Sequence, residues 1–275
     1  MKLCSASRWA ATLLIFCALP ACKRQLVQPQ FANLQMGVPG NAKTDPNEPD
    51  RYLLEKPQFA VSYNRSLGHA NWVAWHLEAS DLGTADRQDD FRPDPALPAG
   101  WEAARRSDYD NSGFDRGHLC PSADRTATPA DNSATFLMTN IVPQSPNLNR
   151  NTWENLESYC RDLAKAGNEL YVYAGTYGTG GSGSDGRANR LKNKINVPAA
   201  CWKVVLVLPK GDNDFRRVTS ETAIITVWMP NLQSVQNSWR TYRVTTDEVE
   251  QRTGYDFFAD LPASVQTAIE GKMYQ

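Results

Sequence analysis

Apolar and polar residues alternate through Phe59-Ala60-Val61-Ser62-Tyr63 and again through Asn71-Trp72-Val73-Ala74-Trp75-His76-Leu77. The polar stretch 64–68 between them makes the pair a predicted β-hairpin. Three further apolar runs, Leu170 to Gly175, Trp202 to Leu208 and Ala223 to Trp228, predict strands that continue the same sheet. Phe136 to Val142 predicts a buried strand that the prolines at 143 and 146 break. Trp153, Leu156, Cys160 and Leu163 recur at helical spacing, and Asn151 with Glu154 three residues on has the form of a capping box. A helix is therefore expected over 152–166, ending near Gly167. Two shorter helices are expected at 246–253 and 261–272. The glycine-rich stretch 176–189 reads as a flexible loop, and Pro93 and Pro95 make 78–100 an irregular surface segment carrying Arg87 and Arg92.

No internal repeat and no shift of composition divides the body, so residues 51–275 read as one α+β (mixed α/β) domain around a central, mainly antiparallel sheet. Residues 22–50, rich in Pro, Asn, Gln and Gly, read as a flexible tether. Before them, Lys2 and Arg8 precede the apolar run Trp9 to Leu19, which is too short to span a bilayer and reads as a signal peptide over 1–21. The run ends in Leu19-Pro20-Ala21-Cys22, which resembles a lipobox with Cys22 as the acylated residue. The expected location is outside the cytoplasm: periplasmic, outer-membrane lipoprotein or extracellular, with the membrane a partner through Cys22.

A hydrophobic fraction of 41% with eight tryptophans supplies ample core. The net charge of -1 excludes affinity for a polyanion through the whole-molecule field, and removal of residues 1–21 takes two lysine or arginine residues and no acid. Any phosphate affinity must come from a local patch or a metal. The run Arg187, Arg190, Lys192, Lys194 reads as a solvated face in preference to a substrate groove. Of six cysteines, Cys120, Cys160 and Cys201 lie in the body, which permits one internal disulfide at most and matches no zinc spacing.

The chemistry gathers in Asp115-Arg116-Gly117-His118 and the polar run that follows. An imidazole titrates near neutrality, so His118 can take a proton from water. Gly117 is expected to leave room for a phosphate, and Arg116 and Arg87 offer forked guanidinium contacts to phosphate oxygens, with Arg92 competing for the second place. Asn147, Asn149 and Asn151 precede a helix bearing Glu157. An amide oxygen with a nearby carboxylate suits a hard, hydrated cation such as Mg²⁺, and the spacing alone leaves the three asparagines as equal candidates. His69 and His76, in a turn and a strand, carry no functional expectation.

The strings Asp115-Arg116-Gly117-His118 followed by Pro121, Asn140-Ile141-Val142-Pro143-Gln144, Asn149, and Trp153 with Leu156-Glu157 resemble the DNA/RNA non-specific endonucleases of the ββα-metal superfamily. The likeness runs over about residues 50 to 272, and its nearest form is that of secreted bacterial and cyanobacterial nucleases. It implies a ββα-metal finger packed on one face of the sheet and hydrolysis of DNA and RNA to 5′-phosphate and 3′-hydroxyl ends. It implies His118 as general base, Asn149 as the direct protein ligand to Mg²⁺, with Mn²⁺ or another divalent cation able to substitute, and Glu157 as the holder of the metal's waters. Arg87 would stabilise the pentacoordinate phosphate, and Arg116 and Arg161 would bind substrate. Asp115 and Asn140 would support the loop. A protein inhibitor would leave no readable mark. Cys120, two residues after His118, departs from the pattern; on an extended segment it would share the histidine's face, where oxidation or metal binding would disturb the site.

The competing class is a non-catalytic nucleic-acid-binding lipoprotein, against which the intact set His118, Asn149 and Glu157 speaks. A serine hydrolase is excluded by the lack of a Gly-x-Ser-x-Gly elbow.

Overall fold

The computed structural model describes residues 32–275, so the signal peptide expected over 1–21 and the acylation expected at Cys22 lie outside the described residues. Three strands open the sheet: β1 (Tyr52–Glu55), β2 (Ala60–Asn64) and β3 (His69–Leu77). A long excursion follows with β4 (Asp115–His118), α1 (Pro129–Ala134), β5 (Ile141–Gln144) and α2 (Glu154–Lys165). The chain returns through β6 (Asn168–Tyr177) and the short strands β7 (Gly181–Gly183), β8 (Gly186–Ala188), β9 (Arg190–Leu191) and β10 (Ile195–Asn196). It ends with β11 (Ala200–Pro209), α3 (Asp214–Arg217), β12 (Ala223–Pro230), α4 (Thr246–Thr253) and α5 (Ala263–Glu270). Six strands form one antiparallel sheet in the order β1-β2-β3-β6-β11-β12. Among the described residues, no helix is long and apolar enough to cross a membrane.

The sheet is covered on both faces, so its central strands are apolar on both sides. On β6, Leu170, Val172 and Ala174 point into a core shared with Trp153, Leu156 and Cys160 of the excursion, while Tyr171 and Tyr173 point into a second core with Val249, Phe257 and Ile269. This period of two places Lys203 of β11 on the same face as Cys201 and Val205, beneath α2. The strings that carry the resemblance all lie in the excursion between β3 and β6, which are direct neighbours in the sheet. Growth of the chain at that point therefore leaves the sheet intact and stacks the extra elements on one face.

Four local expectations are corrected. Residues 32–50 do not hang free as tether: Leu34 and Met36 are buried in the second core, and Asn33 bonds the carbonyls of Lys56 and Pro57 and the amide of His76. The stretch 176–189 is not a loop but the end of β6 and the β7–β8 hairpin. Within 136–142, Met138–Asn140 forms a 3-10 turn and the strand begins only at Ile141, running through Pro143. Pro143 is tolerated because its partner strand lies on one side only, an edge position. The capping box at Asn151 is absent: a π-helical turn over Leu148–Trp153 runs straight into α2, and Asn151 bonds Asn147.

Candidate functional site

β4 and β5 pair antiparallel, with His118 opposite Ile141 and Asp115 opposite Gln144, and α2 packs behind them, giving a ββα unit. Gly117 is needed here for a reason different from the one expected. A Cβ on it would lie 2.0 Å from Oε1 of the buried Gln144, so its lack of a side chain admits this glutamine and does not open space for phosphate.

His118 sits at the end of β4 and is 9% exposed. Its ring stands edge-on to Phe136 at 4.9 Å and tilts against Phe91 at 5.6 Å. Trp153 Nε1 donates to its carbonyl oxygen at 3.2 Å, which fixes the backbone. Nε2 finds no hydrogen-bond partner among the described residues. Burial, with the nearby Arg87 cation second, pulls the imidazole down to about 3, so the free protein holds it neutral.

The same two aromatic rings carry the arginines. Arg87 lies over Phe136 at 4.8 Å and donates to Ser122 Oγ at 2.7 Å; Arg116 lies over Phe91 at 5.0 Å, with Asp110 at 3.5 Å. Thus Arg87, distant in sequence, converges with Arg116 and His118 of β4 on one aromatic pair. Arg92 turns away to Asp90 and the Ser133 carbonyl.

Asn149 lies within the π-helical turn, a device that offsets a side chain from the regular helix face. Its Nδ2 donates to Asp115 Oδ2 at 2.9 Å. Arg150 Nε donates to that same oxygen at 2.8 Å, and its Nη2 to Asp115 Oδ1 at 2.7 Å. Asp115 therefore holds the amide nitrogen and leaves the amide oxygen as the atom open to a cation. Asn147 and Asn151 are spent on Gln233, Val235 and each other.

Glu157 is buried, with Lys203 Nζ at 3.5 Å. Burial pushes its carboxyl up to about 7, a rise that Lys203 opposes and Asp124 reinforces. Lys203 is 1% exposed and lies between Trp153 and Trp75, at 4.2 and 5.4 Å from the rings. Asp124, likewise buried, accepts from Trp75 Nε1 at 3.0 Å and from Arg161 at 3.2 Å. Arg161 also reaches Glu154 at 3.3 Å, so the guanidinium expected on the phosphate side is held by two carboxylates. Lys203 and Asp124 are residues that reading the sequence misses. A lysine in an otherwise apolar strand is the available signal for the first.

Asn140 clamps the segment after His118: its Oδ1 accepts from Cys120 N at 2.9 Å, and its Nδ2 donates to the carbonyls of Cys120 and Thr135, both at 2.8 Å. Cys120 does not share the histidine's surroundings. It is fully buried in the main core, with its thiol pushed well above the usual range by burial, and Cys120, Cys160 and Cys201 are all free thiols. Its burial separates the thiol from solvent in the folded state.

Comparison with known proteins shows what this arrangement is similar to. The family model for DNA/RNA non-specific endonucleases matches residues 38–264. A nuclease from Nostoc sp. is 50% identical over 241 residues, covering 88% of this chain and 85% of that protein. Nuclease C1 from Cunninghamella echinulata is 35% identical over 241 residues, covering 84% and 89%. A solved structure of EndoG in complex with EndoGI shares the fold at a TM-score of 0.70 and 24% identity, covering 88% of this chain and 96% of that one.

Proposed function

The chain belongs to the DNA/RNA non-specific endonuclease family and is a hydrolytic nuclease, and from that premise we propose how its residues cleave DNA and RNA, with what cation and where. The carrying observation is the neutral, buried His118 whose Nε2 has no partner while two arginines lie over the rings that pack against it. His118 takes the proton of the attacking water at Nε2. Because the nucleophile is water and not the 2′-hydroxyl, both sugars are substrates, and contacts to backbone phosphate carry no base information. The products have 5′-phosphate and 3′-hydroxyl ends.

Arg87 and Arg116 meet the phosphate oxygens, Arg87 bearing on the pentacoordinate state and Arg116 on the bound strand. Arg87 is anchored by Ser122 and its aromatic stack, so little freedom is lost when it engages. The donor set fits a divalent cation of the Mg²⁺ or Mn²⁺ kind: Asn149 would hold it by the amide oxygen, and Glu157 by way of its waters. The ion supplies neutralisation of developing charge and a more acidic water. Asp115 orients Asn149, Asn140 braces the segment after His118, and Arg161 holds Asp124 against the Glu157–Lys203 pair. Export and anchoring through Cys22 are proposed on the pattern of residues 1–22 alone, giving a membrane-attached or released enzyme outside the cytoplasm. A protein inhibitor is proposed as a class of partner on the fold's likeness to a nuclease solved with its inhibitor.

The test is digestion of plasmid DNA and of RNA with and without EDTA, with His118→Ala as control. Loss of cleavage in both comparisons, with the circular dichroism of the variant unchanged, is the expected result. Cleavage indifferent to chelation and to the substitution would end the mechanism.

A further inference from the structure

On the face of the sheet away from His118, α4 and α5 bring three carboxyl groups together. Asp247 and Glu250 lie on α4 and Glu270 is the last residue of α5; one carboxylate oxygen from each lies within 4.8 Å of the others. None of the three forms an ion pair with a lysine, arginine or histidine among the described residues. Glu270 is 4% exposed, and its Oε1 is buried with no hydrogen-bond partner among the described residues. A buried carboxylate oxygen with no donor costs free energy that the second core does not return. Its position at a helix C-terminus adds the negative end of the helix dipole to the same spot.

We propose that Asp247, Glu250 and Glu270 form a calcium-binding site that ties α4 to α5. The donors are all oxygen, with no histidine or cysteine, which excludes the usual zinc set. They come from side chains on two separate helices, a geometry that Ca²⁺ accepts with mono- or bidentate carboxylates and open water positions, whereas Mg²⁺ demands a near-ideal octahedron. Asp247 is exposed and opens the site to solvent, Glu250 is half-buried and already fixed by the Phe257 amide at 2.6 Å, and Glu270 closes the inner side. A bound cation would give the buried Glu270 carboxyl a counter-charge. It would also pin the C-terminal helix, whose Ile269 packs in the same core as Val249.

Without the cation, burial, with Asp256 and Asp247 beside it, pushes Glu250 up to about 7 against a hydrogen bond with the Glu270 side chain, and burial with the neighbouring Glu250 pushes Glu270 to about 8. Asp247 and Asp256 face both, and the Gln266 side chain favours the charged form of Glu270.

The experiment uses the full chain, calcium chloride alone as probe, and thermal unfolding with calorimetric titration at pH 8. Asn149→Ala serves as background to remove the catalytic cation. In that background, calcium at about 1 mM is expected to raise Tm by about 5 °C and to bind at one site. Glu270→Gln should abolish the shift while its calcium-free Tm stays equal or rises, because the amide relieves the repulsion. Glu250→Gln should weaken binding at least tenfold. An absent calcium response in Asn149→Ala, or a full response in Glu270→Gln, overturns the proposal; three acids that merely share protons give the first of these results.

Discussion

On the proposed mechanism, Glu157 is the residue whose protonation sets when the site can work. Its carboxyl is pushed up to about 7 by burial, so it carries a proton below that pH and a charge above it. In the proposed mechanism only the charged form can order cation-bound water, so kcat/KM should rise with pH as the carboxyl loses its proton, at a pH no higher than about 7 because a bound cation favours the charged form. His118, held neutral from about 3 upward, adds no second transition in that window. Lys203 keeps the Glu157 transition from lying still higher. Lys203→Met removes the cation from between Trp75 and Trp153 and should move the activity profile alkaline by about one unit, a loss of about fivefold at the wild-type midpoint that approaches tenfold below it and is recovered near pH 9. The substitution also leaves Glu157 buried and unpaired, at a stability cost on the order of 3 kcal/mol at pH 8 and less at pH 6, where the carboxyl takes up its proton. A pH profile superimposable on that of the wild type would show that Lys203 does not act through Glu157.

The ββα unit is held by interactions that tolerate little change. Gly117→Ala sets a methyl 2.0 Å from Gln144 Oε1 and should cost about 1 to 3 kcal/mol in urea unfolding. Most of that loss should return in the Gly117→Ala, Gln144→Ala double variant; a purely additive cycle would place the strain elsewhere. Asn140→Ala strands the Cys120 amide and withdraws one donor from the carbonyls of Cys120 and Thr135, for a loss of about 1 to 3 kcal/mol by the same measurement. These elements also mark how far the sequence can be read. The sheet strands other than β1 and the helices at 154–165, 246–253 and 263–270 are visible because apolar period alone fixes them. The string at 115–118 and Asn149 are visible through the resemblance. What stays hidden depends on long-range packing. The π-helical turn replaces a cap with a tertiary network through Asp115 and Gln233. Gly117 answers to a glutamine on the neighbouring strand. Lys203 meets Glu157 only when β11 passes beneath α2.

At the scale of the molecule, a net charge of -1 leaves the enzyme without a long-range pull on polynucleotide, so productive encounter must rest on a local basic track. On the proposed mechanism Arg87 and Arg116, stacked on the rings of Phe136 and Phe91, begin that track. The run at 187–194, expected as a solvated face, is mounted on the small core that joins Leu191, Ile195 and Val197 to Phe114, Ile141 and the partly buried Phe91. That core braces the strand opposite His118, so the exposed Arg187, Arg190 and Lys192 ride beside the catalytic unit, while Lys194 is neutralised by Glu102 and Asp108. Their location, not their number, argues for a rim that receives the flanking phosphates. Replacing Arg187, Arg190 and Lys192 together by glutamine should raise KM for long duplex DNA severalfold and leave kcat unchanged, since none of them reaches the reacting phosphate. If at least two of the three sit on the DNA backbone, the slope of log(kcat/KM) against log salt should become shallower by about 2, at about 0.9 for each phosphate that is no longer neutralised. A dinucleotide-sized substrate, too short to reach the rim, should be cut at the wild-type rate. An unchanged salt slope on long DNA would return the run to the solvated surface and leave Arg87 and Arg116 as the whole of the track.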